Sequence, residues 1–479
     1  MTTQRIKFGV WQPDSADFTG GNSDALHSCL NVYPSVLGYA PLPKPVVISN
    51  EIADDLNSIF VGKYTNDINI FGGSKTALYS VTGITRADRA INNVSKSGGY
   101  ESLVPWDFEQ FGKTVLACNG QKIQQYEIGS SLQFSDVTEA PNASCMAIVR
   151  DFVFANDVDN SNLVKWSDIN NHENWTPGAT SQADSQYLAD GGAVVNILGG
   201  EQAIILQEKA VTRASYVGSP FFFQFDLVAR IGCFERNSAI QHNGLVYFLA
   251  ESGFQMTNGS TVQPIGAGKV DKFFWNDLDL QNIETMSVAV NALLNLIVWN
   301  YQNTSGKRAM IMYNFITQSW SYGITDAKVV GSLMSQGTDL DSLDATYPIL
   351  DDMGVSLDSR LFIGGKALFA GVSGDGKYIV SFEGEQDESY LTTNDLEFGN
   401  NSTIFLARPI VDNGSAEFQV ASRRMLDDNV LFSTKSVTSS EGRADLRSGG
   451  KYHRVRTHPT GSWTHAVGLD IDYSTNGTR

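Results

Sequence analysis

The sequence repeats one unit along most of its length: a short apolar segment, a turn rich in Gly, Asn and Asp, and a second apolar segment. Segments rich in Val, Ile and Phe that are bounded by such turns are typical of antiparallel β-hairpins. The copies recur about every 40–50 residues, which is the spacing expected when each repeat is one four-stranded blade of a β-propeller. Copies of the unit lie at 68–79, 115–123, 152–166, 203–213, 246–256 and 296–313.

The composition favours an ordered, all-β protein with more than one core. The chain has 479 residues, and single hydrophobic cores stop growing at roughly 250–300 residues. Hydrophobic residues make up 42% and charged residues only 18%, and there are 44 glycines. Such a chain is turn-rich and can bury a large apolar area, so the composition argues against a disordered protein.

The pattern changes along the chain and predicts four segments. Pro41, Pro43 and Pro45 alternate with other residues near the N-terminus, which favours extended backbone without hydrogen-bond donors. After about residue 386 apolar and polar residues alternate at period two, which is typical of an antiparallel β-sandwich with one face in water. The predicted segments are an extended arm that packs on the platform or on a neighbouring subunit (1–57), a β-propeller of about six blades (58–330), a linker with a final hairpin (331–385) and a C-terminal antiparallel β-sandwich platform (386–479).

The formal charge of the chain is −18, so it would repel a polyanion. Tight wrapping of DNA is therefore not expected, whereas passage of DNA through an acidic ring is compatible with this charge. No apolar run approaches the roughly 20 residues of a membrane helix, and the N-terminus lacks the apolar stretch of a secretory signal. We therefore expect a soluble protein made in the cytosol, with no membrane insertion. The four cysteines, expected to be buried free thiols unless the fold brings two together, are Cys29, Cys118, Cys145 and Cys233.

Several groups of residues suggest chemistry, and each has a structural alternative that we favour. Ser373, Asp375 and Gly376 resemble the Asp-box turn of sialidase-type propellers, but the glycine directly follows the aspartate, so a hairpin turn is the better interpretation. Two sets could be metal ligands or an acid–base pair, but their spacing matches no metal-binding or calcium-loop motif. These sets are His453, His458 and His465, and Asp151, Asp157, Asp159, Asp351 and Asp352.

The C-terminal region is locally basic, and one segment is strongly aromatic. The arginines could touch phosphate or an acidic neighbouring subunit, but interspersed carboxylates favour a solvated face of mixed charge. The aromatic segment 221–225 could be an exposed contact, although strand core between blades is the favoured interpretation. No phosphate-binding loop, nucleophile elbow or zinc-protease motif occurs, so we assign no catalytic, cofactor-binding or metal-ligating residue and expect no enzyme. The arginines are Arg408, Arg423, Arg424, Arg443, Arg447, Arg454 and Arg456.

Motifs from the whole length of the chain together resemble the tail nozzle proteins of short-tailed, podovirus-type bacteriophages, also called packaged-DNA stabilisation or tail tubular proteins. Each motif alone is a β-rich segment of low specificity, and the likeness lies in the order and spacing of the motifs. The motifs are residues 31–34, 38–43, 163–168, 173–177, 216–221, 229–233, 245–254, 443–456 and 461–468.

The resemblance implies a structural virion protein that forms the distal tail nozzle. Six copies would form a ring below the portal and its adaptor ring, and the genome would be retained by and ejected through the central channel. The implied partners are the other five subunits, the adaptor and portal rings, and tail fibres or spikes, with double-stranded DNA passing without specific binding. The implied location is the virion tail, assembled in the cytoplasm of the host bacterium.

Two rival functions remain: a propeller that hydrolyses host-surface glycan, and one that binds glycan as a monomer. The hydrolase predicts converging carboxylates and an arginine cluster at the central mouth of the propeller. The nozzle interpretation places inter-subunit contacts in the N-terminal arm and the terminal sandwich. It predicts that removal of residues 1–49 leaves the propeller folded and blocks assembly.

Overall fold

Seven four-stranded antiparallel sheets form a β-propeller in the computed structural model, which describes residues 2–15, 24–65, 67–82, 90–335 and 363–475. Blades 1 to 6 are each built from four consecutive strands. Blade 1 consists of Leu56–Tyr64, Asp67–Ser74, Leu78–Thr82 and Ala90–Asn93. Blade 2 consists of Asp107–Phe111, Thr114–Cys118, Gln124–Glu127 and Ser135–Asp136. Blade 3 consists of Met146–Val149, Phe152–Asn156, Leu163–Trp166 and Asp184–Tyr187. Blade 4 consists of Val194–Leu198, Gln202–Gln207, Val211–Gly218 and Phe222–Ala229. Blade 5 consists of Ile240–His242, Leu245–Ala250, Gly253–Thr257 and Val262–Pro264. Blade 6 consists of Ser287–Asn291, Leu296–Gln302, Arg308–Asn314 and Ser319–Thr325.

The seventh blade corrects the expectation of about six. Its strands Val329–Met334, Ala367–Val372 and Ile379–Ser381 come from the region where we expected the end of the propeller and a linker with a final hairpin. Its outermost strand is Val46–Val47, which pairs with Ile379–Ser381 although it lies far away in sequence. The N-terminal segment therefore closes the ring. The repeat count missed this blade because the chain that builds it is interrupted and comes from two distant places.

Apolar side chains between neighbouring sheets hold the blades together. Phe71 and Trp106 at the seam of blades 1 and 2 are buried, and the Trp106 indole Nε1 donates to the Ser74 carbonyl at 2.7 Å. Gly73 is needed at this seam, since a Cβ there would lie 2.4 Å from the Trp106 ring. Strands such as Thr114–Cys118 and Phe152–Asn156 are buried at every position, so both faces of a blade pack against neighbouring sheets and fix the ring.

The second unit, the platform, is one ten-stranded, nearly closed antiparallel sheet of barrel-like form and differs from the two-layer sandwich expected for 386–479. The first four strands of the expected arm belong to it, because both ends of the chain contribute strands. The two termini pair directly, with Ile6 opposite Leu469. The strands are Thr2–Lys7, Leu26–Leu30, Val32–Ser35, Gly38–Pro41, Tyr390–Thr393, Leu396–Asp412, Ser415–Arg423, Ser436–Val437, Ala444–Thr460 and His465–Thr475.

Residue Asn31 joins the platform to blade 6. Its side-chain Oδ1 accepts a hydrogen bond from Ile324 N at 2.8 Å, and its Nδ2 donates to the Glu388 carbonyl at 3.0 Å. Its φ of 53° lies in the left-handed region, which Asn tolerates better than most residues. Platform side chains and those of blades 5 and 6 share one hydrophobic cluster, so the two units pack as neighbours rather than hang on a flexible tether.

The two covalent connections between propeller and platform run side by side. Lys44 N donates to the Glu385 carbonyl at 2.9 Å, and Gly384 N donates to the Lys44 carbonyl at 3.1 Å. Removal of residues 1–49 would delete four platform strands and Val46–Val47 of blade 7. The truncation would therefore remove one short strand of the propeller along with the arm, and the expectation that the propeller stays folded remains a prediction. Among the described residues, the helical elements are the α-helix Asp271–Asp277 and the 3₁₀ turns Arg236–Ser238 and Leu280–Thr285.

Candidate functional site

A cavity of about 170 Å³ with polar walls lies at the centre of the propeller. The first strands of propeller blades line the central channel, and the cavity is bordered by these strands or by the connections that precede them. The polar residues that border it are Asn57, Ser58, Asp107, Asn196, Arg236, Asn237 and Ser287. The cavity has room for several water molecules or one small polar molecule.

Arg236 braces this cavity from one side to the other. It lies in the connection between blades 4 and 5, and its guanidinium reaches backbone carbonyls near blades 2 and 3. Nη2 donates to the Pro105 carbonyl at 2.6 Å, and Nη1 donates to the Ser144 carbonyl. Its own carbonyl accepts from Asn196 Nδ2 at 2.9 Å. A residue that bonds three other parts of the ring ties the blades together.

Two carboxyl groups, Asp107 and Glu109, lie on the inner strand of blade 2, and Asp107 is close enough to Arg236 to interact with its charge. Asp107 Oδ2 accepts from Met146 N of blade 3 at 2.9 Å, and Glu109 projects from the same face of the strand. Burial raises the pKa of Asp107, and the nearby Arg236 charge opposes this rise. Burial, followed by the charge of Asp107, raises the pKa of Glu109 to about 8. Both groups are thus held at the seam of blades 2 and 3.

The site offers little of what a glycoside hydrolase needs. Such an enzyme holds two carboxyl groups across an open groove. Here Asp107 borders the cavity and is bonded to the backbone, whereas Glu109 is not among the bordering residues. Arg236 is the one arginine that borders the cavity, and two carbonyl groups already engage it. The arrangement favours a structural brace.

The turn that resembles an Asp-box is a hairpin turn of blade 7. Ser373 Oγ donates to Asp375 Oδ1 at 2.5 Å, and Tyr378 N donates to Ser373 Oγ at 2.9 Å. These hydrogen bonds close the turn on itself, and the Ser373 hydroxyl lowers the pKa of Asp375. The structural interpretation of this motif is confirmed.

The aspartates considered as calcium ligands belong to a turn in blade 3. Lys165 Nζ lies 2.8 Å from Asp157 Oδ2, where a cation would bind, and Asp159 N donates to Asp157 Oδ1 at 3.0 Å. Asn142 Nδ2 donates to Asp159 at 3.2 Å. Asp151 is exposed at the hairpin tip between the first two strands of this blade. Asp351 and Asp352 lie outside the described residues.

The three C-terminal histidines do not converge on one point. His453 is fully buried, with Nε2 2.8 Å from Ser402 Oγ and Nδ1 2.7 Å from Ser422 Oγ. His458 Nε2 instead contacts Gln419 Oε1 at 2.9 Å, and His465 begins the last strand. Burial lowers the pKa of His453 and of His458 to about 4. Within the described ranges, no three His, Cys, Asp or Glu side chains are placed to hold a metal ion.

The basic C-terminal region is divided between the interior and the surface, so it does not form one solvated face. Arg423 and Arg454 are both buried and bond Asp395, with Arg454 Nη2 2.9 Å from Asp395 Oδ2. Arg456 is stacked on the Tyr390 ring at 4.5 Å. The remaining arginines include two surface ion pairs, Arg408 with Asp472 and Arg443 with Glu441, and the exposed Arg424 and Arg447. Sequence reasoning missed Asp395, and no local motif marks it.

The aromatic segment 221–225 of blade 4 is partly strand core and partly exposed surface, so each interpretation holds for some of its residues. Phe223 is buried at the seam with blade 3, where its ring lies 4.7 Å from that of Phe154. Phe221, at the tip of the same hairpin, is 77% exposed. The four cysteines are free and buried, as expected, and burial raises the pKa of Cys118 well above its usual range.

No protein-family model matches the sequence, and no curated protein matches it. Among solved structures, the chain is similar to an extracellular domain of the two-component system protein BT4673 from B. thetaiotaomicron, with 12% identity over 78% of this chain and a TM-score of 0.43. The matched part is 44% of that domain, so the chain spans less than half of its length.

Two further similarities are to complete propellers. BamB from Moraxella catarrhalis shares 12% identity over 70% of this chain and 97% of its own, with a TM-score of 0.35. Hsv2p from Kluyveromyces lactis shares 12% over 62% of this chain and 94% of its own, with a TM-score of 0.34. Similarity this distant concerns the propeller fold alone. None of the described helices has the length and apolar character required to span a bilayer.

Proposed function

We propose that this chain is the subunit of a six-fold tail nozzle of a short-tailed bacteriophage, through which the genome leaves the virion. The observation that carries the proposal is the placement of the motifs that resemble this family. The N-terminal pair, residues 31–34 and 38–43, and the C-terminal pair, residues 443–456 and 461–468, lie at opposite ends of the sequence. All four meet in the platform or at its edge.

Direct contacts join these motifs. Tyr39 pairs with Ala466 across two strands of the sheet. Gly38 has a φ of 130°, and a Cβ at this position would lie 2.6 Å from the Ala466 carbonyl oxygen. Only glycine satisfies both conditions. The motifs thus form one structural unit, as expected if they build one docking platform.

The central cavity bears on where DNA would pass. Arg236 braces the interior of the propeller, and a volume of about 170 Å³ cannot hold a duplex. The exit channel of the proposed ring is therefore formed between copies. Six chains at −18 each carry a formal charge of −108, which favours sliding of DNA over adhesion wherever acidic side chains line the channel.

The proposal is tested by mixing the purified full chain with an adaptor–portal complex of a short-tailed phage and counting the bound copies by electron microscopy. The expected result is a ring of six copies on the adaptor. The variant Gly38→Val should fail to bind, because its side chain would collide with the platform. Gly112→Ala is the matched control, since its φ of 61° is also positive and its Cβ meets nothing within 4 Å.

A propeller that remains monomeric beside the adaptor and binds or cleaves surface glycan would overturn the proposal. Glycan arrays and a reducing-end assay on capsule or lipopolysaccharide measure these two activities directly. A ring with another copy number would contradict the six-fold arrangement while leaving a tail function in place.

A further inference from the structure

The N-terminal stretch 8–15 forms a third, non-covalent connection between platform and propeller. At the platform end, Phe8 N donates to the Val467 carbonyl at 2.9 Å, and Leu26 N donates to the Val10 carbonyl at 3.0 Å. The stretch then runs to the propeller side and ends at the α-helix Asp271–Asp277. Attachment of this stretch therefore adds to the contacts of Asn31 and of the shared hydrophobic cluster that hold the platform against blades 5 and 6.

Asp14 makes the polar contact with the propeller. Its two carboxylate oxygens accept from Lys272 N at 2.8 Å and from Phe273 N at 2.7 Å, so it caps the helix from outside. Asp14 N donates to the Lys269 carbonyl at 3.1 Å. The Trp11 ring adds an apolar contact, edge-on to Phe273 with ring centroids 5.1 Å apart.

A second carboxyl group, Asp271, is buried directly beside this cap. It is 8% exposed, and a Cβ on either Gly253 or Gly266 would lie about 2 Å from its carboxylate oxygens. Oδ1 accepts from Phe254 N at 3.1 Å, whereas Oδ2 is buried with no hydrogen-bond partner. A buried carboxylate with an unmatched oxygen is costly when ionised, and protonation removes much of that cost.

Asp14 and Asp271 repel each other when both are ionised. Burial raises the pKa of Asp271 to about 6; the hydrogen bond from Phe254 N opposes this rise, and the charge of Asp14 adds a smaller contribution to it. Because linkage is reciprocal, a proton on Asp271 favours the attached form of Asp14. The other charged residues of the elements packed here are Glu251, in the turn before Gly253, Lys269 and Lys272, beside the helix start, and Asp277, at the helix end.

We propose that residues 8–15 are a proton-controlled clasp between platform and propeller, which tightens when Asp271 is protonated and loosens when it is ionised. The clasp rests on two observed features, the Asp14 cap and the enclosed Asp271 carboxyl with its unmatched oxygen. It sets the rigidity of the platform and needs no change in either fold.

Hydrogen exchange of the full chain, measured by mass spectrometry at about pH 5 and about pH 8 and corrected for the intrinsic rate, tests the clasp. The reporter peptides cover residues 8–15 and 269–275, which include the two amides that Asp14 caps. We expect exchange in both peptides to be roughly threefold to tenfold slower at the lower pH, because one pKa unit corresponds to a tenfold change in an equilibrium constant. Equal corrected rates at the two pH values would overturn the proposal.

Asp271→Asn removes the titrating group while keeping its shape, so both peptides should exchange slowly at both pH values. Asp14→Asn keeps a capping oxygen and removes the repulsion, and it should also abolish the response. This second variant decides the matter if Asp271→Asn fails to fold. Asp279→Asn, a nearby carboxylate that accepts from Gln281 N at 3.1 Å, is the matched control and should respond like wild type. A full pH response that persists in Asp14→Asn would contradict the coupling.

Discussion

The propeller and the platform are both antiparallel β-structures, yet the chain builds them in opposite ways. Each of blades 1 to 6 uses four strands that follow one another directly, so every pairing closes a short loop. The platform instead pairs Thr2–Lys7 with His465–Thr475, which brings together the two ends of the chain. Closing longer loops costs more entropy and slows folding. The platform must therefore draw more of its stability from specific long-range contacts than the propeller does.

Blade 7 lies between these two modes of construction. Three of its strands form a local meander, and the fourth, Val46–Val47, arrives from the N-terminal segment. The strand that closes the ring also begins immediately after the platform connection at Lys44. The closure of the propeller and the attachment of the platform consequently depend on the same short stretch of chain.

The largest expected effect tests whether the platform depends on its distant strands. A deletion of residues 2–41, which keeps Val46–Val47, removes four of the ten platform strands. We expect hydrogen-exchange protection to be lost in Leu396–Asp412 and Ala444–Thr460, while blades 1 to 4 remain protected. Deletion of residues 2–7 alone, an edge strand, is the control and should leave most of the platform protected. Equal loss of protection in blades 1 to 4 would show that the two units fold as one.

The second prediction concerns the buried ion pairs of the platform. Asp395→Asn removes the negative charge that Arg423 and Arg454 share, and loss of one partner from a buried ionic group costs about 3–5 kcal/mol. Denaturant titration should show this loss in the platform transition, with the propeller transition unchanged. The control is Asp470→Asn, whose partner Arg5 is 64% exposed, so solvent screens their ion pair and its loss should change stability little. An equal shift for both variants would contradict the difference in burial.

The same contrast explains which features the sequence predicts. Hairpins such as Leu296–Gln302 with Arg308–Asn314 are indicated by local apolar runs separated by turn residues, so the propeller was predictable from periodicity. The pairing of Ile6 with Leu469, the closure by Val46–Val47 and the Asp395 ion pairs depend on distant partners that no local pattern reports. The two-layer sandwich was expected because period-two alternation shows only which face of a strand is buried. It does not distinguish two stacked sheets from one sheet that curves towards a barrel.

A smaller effect should separate the two units by pH. His453 has a pKa of about 4 in the folded platform and about 6.5 when unfolded, so the unfolded chain binds more protons between these values. Platform stability is therefore full above about pH 6.5 and falls as the pH decreases towards 4, by roughly 1–3 kcal/mol. Urea midpoints of the platform transition measure this slope. His453→Gln should reduce it by about half, because His458 titrates with the same sign; an unchanged slope would contradict the assignment.

The propeller should respond to pH in the opposite direction, through Glu109. Burial beside Asp107 raises the pKa of Glu109 to about 8, whereas the pKa of a glutamate in an unfolded chain is about 4.3. The folded propeller then binds more protons between these values, so its stability is highest below about pH 4 and decreases as the pH rises towards 8. Because Glu109 is only partly buried, we expect a change on the order of 1 kcal/mol in the propeller transition. Glu109→Gln should flatten this response, while Glu127→Gln, an exposed carboxylate paired with Lys113, should keep it. If the platform and the propeller both became less stable as the pH changed in one direction between about pH 5 and 8, Glu109 and His453 would not be the groups responsible. The pH dependence of both units would then come from a common titrating group.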